Sequence, residues 1–457
     1  MSQPSAAEPQ SSSEKLDFKR ILPIFIIVLV DILGLTVIIP LLPLYATAFG
    51  ANAIVIGALG TAYPLLQLVG SPLLGGLSDR LGRRPVLLVS QIGTLIGFLV
   101  LGFANSLPLL FLARIIDGFT GGNIVVAQAA ITDSTTPRTR AQGLGLIGAA
   151  FGIGFTLGPA IAGIALVATN NNYAVPAFIA AGFSLISILL TAFWFKETLP
   201  EGQRGQNRPK ASGNIASRSL RALRNPLIGG LLLLMFMQQL VFGGVETLLA
   251  LFTFARLGMN AAGNTLLFLF IGVILVFVQG KYIGPLSRRF GERKLIFAGA
   301  VLLGIGVVLT AITPEVPVPW YSRAEMLNEL AQGTSTSINV PLPPDNNLGW
   351  LGFIWICVSL VPVTIGGGLI SPSINSLITR RSSSGEIGEV LGVSSALYSL
   401  ANAISPLIGG TVFQFLGSTA PFLMGGFAML ALAYWAMRAI KPGPEEHTSG
   451  ASQPAAA

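Results

Sequence analysis

Charge is what this chain has least of. Only 10% of its 457 residues are Asp, Glu, Lys or Arg, where a soluble globular chain carries about 25%. Water is therefore excluded as the solvent for most of its surface. Cysteine is nearly absent too: Cys357 stands alone, which excludes a disulfide framework. The one histidine, His447, lies in a polar tail, so no histidine-based metal or catalytic centre is expected and no cofactor is called for. The segment "VQGKYIG" around Lys281 has neither the upstream glycine nor the Ser/Thr of a nucleotide-binding P-loop. No nucleophile–base pair is legible, so neither ATP-driven work nor an enzyme is expected.

What is present is apolar. Hydrophobic residues make up 52% of the chain, with 54 glycines and a mean hydropathy of +0.73. Apolar runs begin near Ile21, Ala53, Pro85, Pro108, Gln142 and Tyr173, and again near Pro226, Ala262, Leu295, Leu348, Glu389 and Ala420. Each is about 20 residues or longer, enough for a helix across roughly 30 Å of hydrocarbon. The fold class is therefore an all-α polytopic membrane protein with twelve spans and both termini on one side. Of the 27 Lys and Arg, all but Arg114, Arg256 and Arg323 fall in the tails and in every other connection. The positive-inside rule makes that side cytoplasmic. The net charge of +8 is thus topology, and no nucleic acid is expected as a partner. No cleavable signal peptide is legible, since the run from Ile21 to Tyr45 is too long for one.

The chain repeats itself. "GGLSDRLGRRP" at Gly75–Pro85 matches "GPLSRRFGERK" at Gly284–Lys294, an offset of 209, and "GPAIAG" at Gly158–Gly163 matches "SPLIGG" at Ser405–Gly410, an offset of 247. Two parallel six-helix units follow, a repeat class known among membrane carriers. The expected organisation is a disordered tail at 1–20, a bundle at 21–195, a flexible basic linker at 196–225, a bundle at 226–440 and a second tail at 441–457. The offset grows by 38 residues, which places an insertion at 313–347 on the far side. Within it, Ser322 and Glu325 read as a capping box starting a short helix.

Three motifs carry a resemblance. They are "GGLSDRLGRR" between spans 2 and 3, "LARIIDGFTGG" at Leu112–Gly122 in span 4, and "GIGFTLGPAIAG" at Gly152–Gly163 in span 5; "DILGLTVIIPLLP" at Asp31–Pro43 supports them. At these residues the chain resembles the major facilitator superfamily, and within it the twelve-span drug:proton antiporters, the tetracycline exporters above all. The resemblance implies two pseudo-symmetric six-helix bundles rocking about a central cavity, a small-molecule substrate and protons as partners, and a monomer in a plasma or inner membrane. It is strong over spans 1 to 6 and fades to fold-level similarity beyond. Tetracycline exporters also carry acids in spans 3 and 9. Here Gly97 stands at the span-3 place and span 9 has no acid, which argues against tetracycline itself.

A charge within the bilayer costs on the order of 2.5–3.5 kcal/mol on insertion scales, so each one needs a reason. Four qualify: Asp31, Arg114, Asp117 and Glu246. Burial and a neighbouring arginine act on a carboxylate in opposite senses, so such a group can be poised to bind and release a proton near neutral pH. The resemblance implies that Asp31 carries the proton and Arg114 partners it; the bland alternative is a static pair joining two helices. Arg114 and Asp117 share a helix face, which Gly121 and Gln128 continue at seven-residue steps. In span 7, Gln239 occupies the place that Asp31 has in the first half. Glu246 lies two turns further out, with Phe242 and Trp355 as apolar walls for a cationic or amphipathic substrate. Other polar residues, among them Tyr63, Gln67, Tyr398 and Asn402, read as interhelical hydrogen bonds.

Two motifs read as gates. In span 5, Gly154, Gly158 and Gly163 permit close packing and Pro159 removes one helical hydrogen bond; resemblance ties this element to sealing the cytoplasmic side. In the loop between spans 2 and 3, Gly75 and Gly82 allow tight packing and a turn, while Arg80, Arg83 and Arg84 enforce orientation. By resemblance, Asp79 and Arg83 form a network with Asp133 that latches the halves in an outward-open state. In the second copy, Arg288 stands at the Asp79 place and Glu292 at the Arg83 place. The expectation is proton-coupled export of amphipathic compounds by alternating access. Symport of a sugar, polyol or organic anion is the alternative, and a non-transporting sensor a more distant one.

Overall fold

Each apolar run forms a helix, because lipid offers the backbone no hydrogen-bond partner and a helix satisfies its own N–H and C=O groups. The computed structural model describes residues 17–136, 139–205, 223–225, 227–331, 340–381 and 387–440. Twelve helices among them are long and apolar enough to cross a membrane. Spans 1 to 6 are Phe18–Ala48, Ala53–Leu81, Arg83–Gly102, Leu107–Asp133, Gln142–Ala168 and Ala174–Phe193. Spans 7 to 12 are Gly229–Leu257, Ala261–Phe290, Glu292–Ala311, Leu351–Arg381, Gly392–Leu416 and Ala420–Arg438. All start within three residues of the expected places. No strand occurs among the described residues. Residues 1–16 and 441–457 of the expected tails, 206–222 and Pro226 around the linker, and 332–339 of the insertion lie outside them.

In the first half, span 1 packs on spans 5 and 6, and span 3 on spans 4 and 6; in the second, span 9 packs on spans 10 and 12, and span 7 on span 11. The halves meet along two seams, span 2 on span 11 and span 5 on span 8. Lipid is as apolar as leucine, so such seams depend on close packing, which small residues allow. At the first seam a side chain on Gly57 would strike the Pro406 carbonyl at 2.3 Å, and one on Gly410 the Ala53 carbonyl at 2.3 Å. At the second, Gly272 lies against the backbone of Phe155 and Thr156.

Both seams sit toward the face opposite the basic loops. The stripe of span 5 that meets span 8 continues toward the basic face through Gly152, Gly148 and Gly145, where a side chain would find nothing within 4 Å. A side chain at Gly280 of span 8 would likewise meet nothing within 4 Å. The halves are therefore parted at the basic face and closed at the other. The insertion reinforces the closed end: Arg256 at the end of span 7 pairs Glu315 at 3.0 Å, and Val318 N–H donates to the Leu257 carbonyl. Its short helix, Arg323–Ala331, starts at the expected cap, with Glu325 N–H on Ser322 Oγ at 3.3 Å, and reaches the 42–48 segment of the first half.

Candidate functional site

Asp31 lies half-buried on span 1. Its Oδ2 accepts from Asn123 Nδ2 at 2.8 Å and from Gln91 Nε2 at 3.3 Å; Gln91 also donates to Ser187 Oγ at 2.7 Å. The pairing expected between Asp31 and Arg114 does not form. Arg114 instead lies 3.1 Å from Asp117 one turn along the same helix, and the two are 3% and 2% exposed. The local pair wins because neither partner could be left alone in a dry interior. It is not aligned as a hydrogen bond, since Arg114 Nε and Nη2 and Asp117 Oδ2 all lack one; the rings of Tyr63 and Phe98 flank the guanidinium.

The seven-residue stripe beyond Arg114 does not persist either. Span 4 breaks at Gly121–Gly122, between helices Leu107–Thr120 and Asn123–Asp133. A side chain on Gly122 would overlap Leu74 of span 2 at 2.7 Å. The break turns Asn123 toward Asp31 and leaves Gln128 exposed. Asp117 packs where a side chain at Gly97 would sit, with its Cβ 2.9 Å from that place. The acid missing from span 3 is thus replaced in space by one from span 4. A cavity of about 20 Å³ touches both Asp31 and Asp117, with Tyr63, Thr94 and Asn123 around it. That is room for one water.

In the second half, Gln239 Nε2 donates to Asn402 Oδ1 at 3.1 Å, joining spans 7 and 11. Gln67 joins spans 2 and 4 in the same manner, on the Gly121 carbonyl at 2.8 Å. Phe242 lies over Gly367 of span 10. Glu246 is half-buried and makes no hydrogen bond or ion pair with a described residue. Its neighbour Thr247 meets Pro406 around Gly60, so Glu246 stands at the junction of the halves. Trp355 does not join that wall. Its indole N–H donates to the Leu309 carbonyl of span 9 at 2.8 Å, a bond within its own half.

At the basic face, Arg83 is 1% exposed; its Nη1 donates to Asp79 and to Ser78 Oγ, each at 2.7 Å, and its Nε to Asp133 at 2.8 Å. All these partners belong to the first half, and the halves stand apart here. Arg80 is exposed, and Gly75 rests on Val125 of span 4. Arg84 binds the Thr191 and Ala192 carbonyls of span 6.

A residue that the sequence reading left in a flexible linker completes this network. Glu197 accepts from the N–H groups of Arg83, Arg84, Thr198 and Leu199 at 2.9–3.0 Å, capping the start of span 3. Partial burial opposes its ionisation, but the four backbone donors outweigh burial and hold its carboxyl below the usual carboxylate range. Gly82, at φ 106°, leaves the space, since a Cβ there would meet that carboxyl at 2.5 Å. Gly205 N–H on the Asp79 carbonyl docks the start of the linker. An acid four residues after a span, in a segment of net positive charge, was the signal available in the sequence.

The span-5 motif works on both halves. Gly158 leaves room for Thr36 of span 1, whose hydroxyl donates to the Gly154 carbonyl at 2.9 Å. Pro159 follows within the helix, and Gly163 faces Thr265 of span 8. The contact it makes across the halves lies toward the closed face rather than the basic one, because the basic ends are parted in this conformation.

Two six-helix units, parted at one face around carboxylates and amides, define an integral membrane protein of the transporter class. The chain matches the Major Facilitator Superfamily over residues 24–341 and belongs to it. It is 27% identical over 416 residues to the class B tetracycline resistance protein of Escherichia coli, covering 90% of this chain and 92% of that protein. It is 25% identical to major facilitator superfamily domain-containing protein 10 of Mus musculus, over 94% of each. Among solved structures, the human organic anion transporter MFSD10 superposes with a TM-score of 0.63 at 24% identity, covering 92% of this chain and 100% of that one.

Proposed function

We propose that this chain exports amphipathic, cationic small molecules in exchange for protons, with its basic face in the cytoplasm. The observation that carries the reading is a charge imbalance. Asp31 and Glu246 face no cation among the described residues, whereas Arg114 is engaged by Asp117. The uncompensated charge between the halves is negative, which favours a proton or a cation over an anion. Similarity to tetracycline resistance proteins over most of both chains supports export.

In this reading substrate enters from the parted basic face and rests against Glu246 and Phe242. Asp31 exchanges its proton through the water-sized space shared with Asp117, while the amides of Asn123 and Gln91 donate hydrogen bonds to its carboxylate. Arg114 is taken up by its pairing with Asp117, so Asp31 has no cation beside it among the described residues. Rocking over the span 2–11 and 5–8 seams then exposes Asp31 to the other side, where it reloads.

The test is proton-gradient-driven efflux from proteoliposomes. Asp31→Asn abolishes it, by at least a hundredfold, while the protein remains folded and still binds a cationic probe. Glu246→Gln weakens cation binding and leaves proton movement intact. Unchanged efflux by Asp31→Asn would sink the assignment.

A further inference from the structure

The second copy of the basic-face loop has no part in that chemistry, and it differs from the first in one telling respect. Beside Gly82 the start of span 3 is filled by the Glu197 carboxylate. Its counterpart Gly291 has the same left-handed backbone, φ 78°, yet a side chain there would meet nothing within 4 Å among the described residues. In the sequence, Pro442, Gly443 and Pro444 follow span 12 at the spacing at which Glu197 follows span 6. A cleft of about 840 Å³ opens between the loop and the basic-face ends of spans 10 and 12.

The cleft is strongly basic. Arg288, Arg289, Arg293, Lys294 and Arg380 line it, against one acid, Glu292. That acid is already committed to Arg380 at 3.0 Å and to Ser287 and Ser376 at 3.1 Å. Arg288, Arg289 and Lys294 are exposed and make no hydrogen bond or ion pair with a described residue. The rim is apolar: Phe290 at the end of span 8 and Met437 in span 12 are 44% and 45% exposed, and span 12 packs within its own half.

We propose that this cleft binds the headgroup of an anionic phospholipid. The phosphate takes the place that the Glu197 carboxylate has in the first half, at a helix start whose N–H groups favour an anion. The surrounding bases supply the charge, at about the level expected of a basic juxtamembrane cluster. The acyl chains run along Phe290 and Met437, a surface that a soluble anion has no use for.

The experiment is binding of fluorescent phosphatidylglycerol to the delipidated full-length protein in detergent, with phosphatidylcholine as reference. Saturable binding of phosphatidylglycerol alone is expected. Arg288→Gln/Arg289→Gln/Lys294→Gln weakens it about a hundredfold. Lys19→Gln/Arg20→Gln/Lys196→Gln, which removes equal charge from the same face, leaves it within a few-fold. Equal loss in both triple variants overturns the proposal in favour of general surface attraction. So does full competition by inorganic phosphate at matched concentration, which assigns the cleft to a soluble anion. Binding that arises only in Glu445→Gln/Glu446→Gln overturns it as well, making the chain's own tail the occupant. The readout does not depend on transport.

Discussion

The loop after span 2 and the loop after span 8 share one backbone and carry opposite charges at two matched places, Asp79 against Arg288 and Arg83 against Glu292. Gly82 and Gly291 both turn left-handed, and Ser78 and Ser287 both bond the residue five places on. In the first copy a central arginine, Arg83, lies between two acids, Asp79 and Asp133. In the second, a central acid, Glu292, is held by Arg380, with Arg288 at the Asp79 place. Attraction within a pair does not depend on which partner bears which sign, so the fold tolerates the inversion. The surroundings do not. The first copy is closed by its own chain, whereas in the second Arg288, Arg289 and Lys294 make no hydrogen bond or ion pair with a described residue.

Reversing the central charge of the first copy alone is the harshest way to break this comparison. Arg83→Glu sets a buried acid against Asp79 and Asp133 and should cost about 3–5 kcal/mol, as for an uncompensated buried charge. Thermal unfolding in detergent and monodispersity measure it. Asp79→Arg/Arg83→Glu/Asp133→Arg, which writes the second copy into the first, should recover most of the loss. If it is no better than the single variant, the two loops are not interchangeable frames.

Glu292→Ala should cost less, about 1–3 kcal/mol in the same measurement. Arg380 is 55% exposed and can return to water, whereas Arg83 cannot. Smaller again is Glu197→Ala, which removes a helix cap worth about 1 kcal/mol. Here pH sharpens the comparison. A carboxyl held below its ordinary range contributes fully above that range and loses its contribution as pH falls through the lowered value. The gap between wild type and Glu197→Ala should therefore close on acidification, and no such closing should follow from substitutions at Gly291.

Much of this was legible in residue order. Twelve starts, the repeat and the capping box at Ser322 need only periodicity and polarity. Even the inversion was half visible, since Arg288 and Glu292 stand opposite Asp79 and Arg83; the second offset, 247, also carries Asp133 to Arg380. The site was less legible. Seven-residue spacing assumed an unbroken helix, and the break at Gly121–Gly122 took Gln128 off the stripe and gave Asp31 an amide for a partner. Trp355 looked like a cavity wall because a helix face cannot be assigned to lipid, cavity or neighbour from apolar residues alone.

By itself the sequence determined the solvent, the number of spans, the duplication and the short list of costly charges, because each follows from transfer energies and chain length. Only the tertiary structure decided which charges meet. Partner choice inside a membrane turns on ångström-scale approach, such as the space that Gly97 yields to Asp117 and Gly82 to Glu197. Glycine spacing permits such approach without saying what fills it.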